Sequence, residues 1–553
     1  MAPSEVQVVL SRIDEQLAGV GGLDPVVAEA VEELLNLVER LAAGQQALAL
    51  EVERLKAQLQ LKKKGKTTGA GAPPNSDHSS EKHRRGRREP QRRPAGDRRT
   101  FKDLRIDETI ECPVDPQDLP PDAVRVADEE VIIQDIEIKP KNTCFQRHVY
   151  YSALAKKYFR GPLPAGCDRG DFGVNLRALI LSLKYCGNMS EPKIGELLEN
   201  FDVRVSSGSL SNILTGAAGD FESDYHDLLA AGLSSTRYQQ TDDTSARVNG
   251  AFWHTHILCN PYYTLYSTRP HRDRLAVLGV LQNTGELRFF FGRSTLELLD
   301  AEFSLPRKWR QKLVDLGEAE WTAPQLKGLM DDWFGERNGQ LRTAIEQMAA
   351  IAYYRRQTAV PVVETLVCDD AGQFKRITGK LALCWIHEGR HYEKLSPVAP
   401  RHVERLDAFV GRYWDYYRGL QDYRAGPTRE QAARLRWEFD ELFSTRTGYD
   451  ALDDRIAKTA AKRDGLLTVL SVPDVPLHNN ASELGARVSA RRRDVSLHSR
   501  SVRGARAMDV LTTIVQTSKK LGVSGFEYLR DRIRGDFELP SLAQYLLQAA
   551  ASG

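Results

Sequence analysis

Three runs rich in β-branched and aromatic residues follow one another closely in mid-chain: Arg237–Val248, Ala251–Leu258 and Tyr262–Thr268. Asn249-Gly250 and Asn260-Pro261 separate them, and both are strong turn signals. Loops this short join antiparallel neighbours, so the segment reads as a three-stranded meander. An acidic pair, Asp242-Asp243, sits within the first run, where Asp is depleted and costly to desolvate. A helix over Arg272–Leu281 comes next. A buried-type strand, Val362–Cys368, ends in a second pair, Asp369-Asp370, and a further apolar run spans Lys380–Trp385. From Asn479 the chain reads as helix, loop, helix, with Glu483 in the first helical turn.

Each acid alone has an ordinary explanation. Asp242-Asp243 suits an exposed edge strand, Asp369-Asp370 a turn, and Asn480 to Glu483 a capping box. Their order is more telling: meander with Asp on its first strand, helix, strand ending in Asp, another strand, helix with Glu. That is an RNase H-like plan, an α/β core with a mixed sheet. Three carboxylates meeting there can hold two Mg2+ ions about 3.5–4 Å apart for in-line displacement at phosphorus. Hard oxygen ligands suit Mg2+, with Mn2+ able to substitute. Neighbouring strand residues face opposite ways, so one member of each pair faces the metals. Asp369 directly continues its strand and Asp370 begins the turn, which favours Asp369. The same argument favours Asp242 over Asp243.

These residues resemble a known family. Gln240-Thr-Asp-Asp-Thr244 is similar to its H-A-D-E-T strand, and Cys384-Trp-Ile-His387, followed by Arg390, to its C-W-x-H segment. His478-Asn-Asn-Ala-Ser-Glu483 with Arg487 and Arg491-Arg-Arg493 resembles its N-N-x-x-E-R…R-K stretch. Gly504-Ala-Arg-Ala507 and Phe526-Glu-Tyr-Leu-Arg530 are also similar. The family is that of the DDE transposases of the bacterial insertion-sequence family numbered sixty-six, the TnpC type. The resemblance covers residues 25–60 and 105–535. It implies cleavage at transposon ends by metal-activated water, then joining of the 3′-hydroxyl to target DNA. Asp242, Asp369 and Glu483 would be catalytic, with Cys384 and His387 beside the active centre. Arg487, Arg491 and Arg492 would face double-stranded DNA. The family's D-x-x-x-x-Y spacing also places Asp369 in register, with Phe374 five residues on. A repurposed DNA-binding protein and a nuclease that only cleaves are the alternatives. The chain departs from the family in keeping only Cys112 and Cys144 where a C-x-x-C zinc site is usual, so no zinc is expected there. Gaps of 127 residues (Asp242 to Asp369) and 114 (Asp369 to Glu483) leave room for helical insertions near 295–357 and 402–466.

The rest of the chain supplies context. Val31, Val38, Gln45, Val52 and Leu59 recur every seven residues, with Leu34, Leu41, Leu48 and Leu55 three residues later. Residues 1–62 therefore read as a coiled-coil helix forming a parallel homodimer or higher oligomer. A basic linker, 63–104, carries Arg84, Arg85, Arg87, Arg88, Arg92 and Arg93 for phosphate contacts. Residues 62–102 hold a net charge of +10, although the whole chain is only +2. Residues 105–165 suggest a small β-rich domain in which Val131–Ile138 pairs with His148–Ser152. Residues 166–232 are helical, and Glu191–Asn200 with Ser206–Thr215 has helix-turn-helix length. The catalytic domain spans 233–500 and a helical region 501–553. No apolar run reaches the ~18 residues of a membrane span. Seven scattered cysteines and no secretory leader point to a reducing bacterial cytoplasm, at the nucleoid, with helper proteins of the same element as further partners.

Overall fold

The computed structural model describes residues 24–63, 105–164 apart from 116, 118–119, 121–123, 125–126 and 128, then 170–335 and 339–552, together with 9–10 and 12–13. Basic residues 64–104, including Arg84, Arg85, Arg87, Arg88, Arg92 and Arg93, lie outside the described residues. A long helix, α1 (Pro25–Lys63), comes first, then a hairpin of β1 (Val149–Ser152) and β2 (Lys157–Arg160). Helices α2 (Val174–Tyr185), α3 (Glu191–Glu199), α4 (Ser207–Gly216) and α5 (Glu222–Ser234) lead into the meander. The meander is β3 (Tyr238–Val248), β4 (Ala251–Cys259) and β5 (Thr264–Arg269). Asn249 and Gly250, at φ 49° and 77°, make the two-residue turn that joins β3 to β4 without splaying them.

After α6 (Arg274–Leu281) an insertion forms: β6 (Arg288–Phe291), α7 (Arg293–Asp300), α8 (Arg307–Asp315), β7 (Ala319–Thr322), α9 (Ala323–Phe334) and α10 (Gln340–Arg356). The expected helices are there, along with an antiparallel β6–β7 pair that periodicity had hidden. Then come β8 (Thr365–Cys368), β9 (Lys380–Leu383) and α11 (Trp385–Glu393). A second insertion holds α12 (Pro400–Ala425), α13 (Arg429–Phe443) and α14 (Asp450–Ala460). The chain ends in α15 (Asn480–Ser496), α16 (Val502–Lys520), α17 (Gly525–Arg534) and α18 (Leu542–Ser552). The five-stranded sheet runs β5-β4-β3-β8-β9, with β3, β4 and β5 antiparallel and β8 and β9 parallel to β3. This mixed α/β architecture is consistent with an RNase H-like core.

The β5 edge would expose unpaired N–H groups, and α16 covers it. Thr264, Tyr266 and Thr268 donate their backbone N–H groups to Thr517 Oγ1 (3.2 Å), Thr513 Oγ1 (3.0 Å) and Asp509 Oδ2 (2.6 Å). Four residues of helix advance about 6 Å and two of strand about 6.6 Å, so the spacings match.

One expectation is corrected. Val131–Ile138 forms no strand: it is extended and exposed, and β1 pairs instead with Lys157–Arg160. Period-two alternation marks a strand only where a face finds a core to cover. The helices of residues 170–232 and 501–552 pack into the body of the sheet. α17 packs on α2, α18 on α5 and α16 on β5, and one apolar cluster runs from Ala178 to Leu546. The pair α3–α4 forms as a helix pair inside that body.

Helix α1 lies partly on its own chain. Val31, Leu35 and Val38 pack against Val398 and Ala399 at the head of α12. Glu39 accepts the N–H groups of Val398 and Ala399, both at 2.9 Å, which the helix start leaves without internal partners. Glu32 pairs with Arg401 and Arg405. Leu34, Leu41, Leu48 and Leu55 remain exposed. Among the described residues no helix is long and apolar enough to cross a membrane.

Candidate active site

Strand register brings the first two acids together. Tyr238, Gln239 and Gln240 of β3 stand beside Thr365, Leu366 and Val367 of β8 in parallel register. Continued two residues, that register sets Asp242 beside Asp369, at the strand end where an open sheet presents its site residues. Burial first, and then the charges of Asp243, Asp369 and Glu483, together push the Asp242 carboxyl up to about 7 against the opposing Asp243 N–H. Asp369 is raised too, first by burial and then by Asp243, although the Ala371 N–H and Arg272 oppose.

The neighbouring acids have other partners. Asp243 is held by Arg272 Nε at 3.1 Å and Gln373 Nε2 at 3.1 Å. Asp370 faces Lys462 (2.9 Å) and Lys375 (3.1 Å). Burial pulls the Asp370 carboxyl upward, but the two ammonium groups outweigh it and hold the group below its usual range. In the turn that Asp370 begins, it is Asp369 whose Oδ1 accepts the Ala371 N–H, at 3.2 Å.

Glu483 arrives on α15. Asn479 is its N-cap, but the Asn479 side chain donates to the Thr241 carbonyl at 2.7 Å, stitching the helix start to β3 just before Asp242. Asn480 is the first helical residue and not the N-cap, so Asn480 and Glu483 do not stand at capping-box positions. Gly485 allows close approach: a Cβ there would stand 2.9 Å from Ile257 Cγ2 on β4. Glu483 Oε1 lies 3.6 Å from His387 Nδ1 and Oε2 3.8 Å from Arg390 Nη2. Cys384 is buried beside them, and its sulfur accepts the Asn479 N–H at 3.3 Å. Burial drives that thiol up to about 11, against the N–H groups of His387, Asn479 and Ile386.

The basic residues divide. Arg491 is exposed and Arg487 half-buried. Arg492, expected to face DNA, lies inside the protein, where its guanidinium donates to the Tyr185 carbonyl (2.7 Å) and to Thr512. Helical spacing shows that three consecutive arginines cannot share one face, but not which one turns inward. Sequence reasoning missed Arg272, Gln373 and Lys462, which carry no motif and come from loops or from the second insertion. Lys375, Lys380, Lys458, Lys462 and Arg455 line a groove of about 720 Å³ that begins at Asp370.

A five-stranded mixed sheet presenting clustered carboxylates at a strand end defines a class of acid-site α/β proteins. Residues 343–507 match the Transposase IS66 family, a span that includes Asp369, Cys384, His387 and Glu483 and begins after Asp242. An uncharacterized protein, y4jO, of Sinorhizobium fredii (strain NBRC 101917 / NGR234) is 32% identical over 318 residues, which cover 55% of this chain and 94% of that protein. The chain belongs to the IS66 transposase family.

Proposed function

We propose that the chain is a DDE transposase that cuts DNA at the ends of a mobile element and joins the freed 3′-hydroxyl to target DNA. The observation that carries this reading is the meeting of Asp242, Asp369 and Glu483, each from a different element, with a buried Asp242 pushed up to about 7. The donor set is all oxygen, and its crowding is the repulsion that a divalent cation relieves. Asp242, Asp369 and Glu483 would hold two Mg2+ ions, or Mn2+ in their place. Bound there, such ions activate an attacking oxygen and stabilise a leaving one. The protein's own groups do the rest. Arg272 and Gln373 fix Asp243 beside the site, and Lys462 and Lys375 turn Asp370 away from it. His387 and Arg390 brace Glu483. The groove from Asp370 offers cationic side chains to a phosphate backbone, as do Arg487, Arg491 and the linker arginines. Exposed leucines on α1 would pair two copies, one for each transposon end, in the cytoplasm at the nucleoid.

The test is Mg2+-dependent cleavage of end DNA, followed by an assay for joined product. Cleavage and joining, both lost in Asp369→Asn, are the expected result. Cleavage without joining would make the protein a nuclease. DNA binding without either would make it a repurposed DNA-binding protein.

A further inference from the structure

Glu483, the third acid of the site, also has a soft and an imidazole donor beside it, Cys384 and His387. Cys384, His387 and Glu483 each offer one ligand atom, and these atoms all lie within 4.8 Å of one another. The arrangement is built into the fold. The Cys384 N–H donates to the Cys368 carbonyl at 3.1 Å, which holds the residue at the end of the sheet. Its sulfur accepts the Asn479 N–H at 3.3 Å, which fixes where the sulfur sits against the start of α15. Cys384 is the N-cap of α11 and His387 the third residue of its first turn, the two positions whose side chains meet at a helix start. Glu483 comes from α15 across the gap.

Ordinary zinc bond lengths in tetrahedral geometry place ligand atoms about 3.3–3.6 Å apart. His387 Nδ1 and Glu483 Oε1 already stand at 3.6 Å. The sulfur would have to close the remaining gap, at most about 1.2 Å from the 4.8 Å limit to about 3.6 Å. Arg390 lies against the other oxygen, Oε2, which leaves Oε1 as the oxygen directed toward His387. The His387 ring is about one third exposed, so water can reach a fourth position. One sulfur, one imidazole nitrogen and one carboxylate oxygen suit zinc or cobalt and are a poor set for Mg2+.

We propose that Cys384, His387 and Glu483 form a binding site for a thiophilic divalent cation of the zinc class. Occupancy exchanges the thiol proton for a metal–sulfur bond, releasing one proton to solvent per ion bound. Glu483 belongs to both donor sets, so a zinc-class ion here competes with completion of the oxygen site. That last consequence rests on the proposed transposase reading, whereas the ion site itself does not.

The experiment uses the full chain with Cys112, Cys144, Cys167 and Cys186 changed to Ser, so that these other thiols cannot contribute. Co2+ is added to the metal-free protein without DNA or Mg2+. The expected result is a near-ultraviolet thiolate-to-cobalt charge-transfer band with visible tetrahedral bands, saturating at one ion per chain. Cys384→Ser should remove the charge-transfer band, and His387→Ala should weaken binding at least about tenfold. Circular dichroism checks that each variant is folded. No charge-transfer band in the parent, or a band unchanged in both variants, would overturn the site. Because this readout needs no DNA cleavage, its failure leaves the transposase reading standing, and a loss of cleavage leaves the ion site standing.

Discussion

A carboxyl group pushed up to about 7 gives stability a pH dependence of definite sign. The folded protein holds protons on Asp242 and Asp369 more tightly than the unfolded chain does. The Asp242 contribution is therefore intact below the unfolded carboxylate range, about pH 4, and is lost as the pH rises through about 7, and that of Asp369 has the same sign. Raising a carboxyl pKa by one is worth about 1.4 kcal/mol. In a chelator the melting temperature should fall between about pH 5 and about pH 8. Asp242→Asn should flatten that fall, and Mg2+ should raise the melting temperature more at the higher pH. Calorimetry with and without Mg2+ tests this, and a wild-type profile identical to that of Asp242→Asn would remove the electrostatic argument. For catalysis, Asp242→Asn, Asp369→Asn and Glu483→Gln should each abolish Mg2+-dependent cleavage and leave DNA affinity within about threefold. Asp370→Asn should still cut, because its carboxylate serves Lys462 and Lys375. A folded but dead Asp370→Asn beside an active Asp369→Asn would move the ligand assignment by one residue.

Elements were legible in the sequence where local chemistry and tertiary context agreed. The meander could be read because turn residues and β-branched runs coincide with a sheet whose centre is buried. The acid order could be read from the succession of strands and helices that carry the acids, because each acid alone had an ordinary explanation. Val131–Ile138 failed because alternation says nothing of whether a partner strand exists. The β6–β7 pair went unseen because four-residue strands are too short to show a period. No local signal announced that α16 would seal the β5 edge, since that depends on matching two rises in space. Gly485 is a further case, a small residue whose reason is the strand opposite. Gly485→Ala should cost about 1–3 kcal/mol, because its Cβ meets Ile257 Cγ2. Adding Ile257→Ala should cost less than the two single changes together. Strict additivity in denaturant titrations would show that α15 yields without strain.

At the scale of the whole molecule, charge and association carry the argument. The basic residues 62–102 hold +10, so affinity for DNA should fall steeply with salt as condensed counterions are released. Replacing the paired arginines at 84–85, 87–88, 92–93 and 98–99 should lower the slope of log K against log salt by about 0.9 for each phosphate no longer neutralised. Specific and nonspecific DNA should weaken alike. An unchanged slope would make the segment a spacer.

Helix α1 bears on association in a way its heptads alone do not reveal. One face is already committed within the chain, through Val31, Leu35 and Val38 on α12, Glu39 on the α12 start and Arg40 on Asp450. The d-type leucines point elsewhere: Leu34, Leu41, Leu48 and Leu55 are all exposed, at 46–69% of their surface. Single exposed apolar residues are ordinary, but four at seven-residue spacing form a continuous seam. Pairing two such seams would remove each leucine from water, worth about 1.5–3 kcal/mol for full burial. The docked half of α1 would then hold the seam in place on each copy, so dimerisation need not disturb the core. Leu41→Lys with Leu48→Lys should therefore halve the mass measured by light scattering while leaving the melting temperature of the core nearly unchanged. Glu39→Ala should act in the opposite way. It should loosen α1 from α12, lower that melting temperature and preserve the oligomer. If the double lysine variant keeps its mass, the copies associate elsewhere and the heptads serve only packing within the chain.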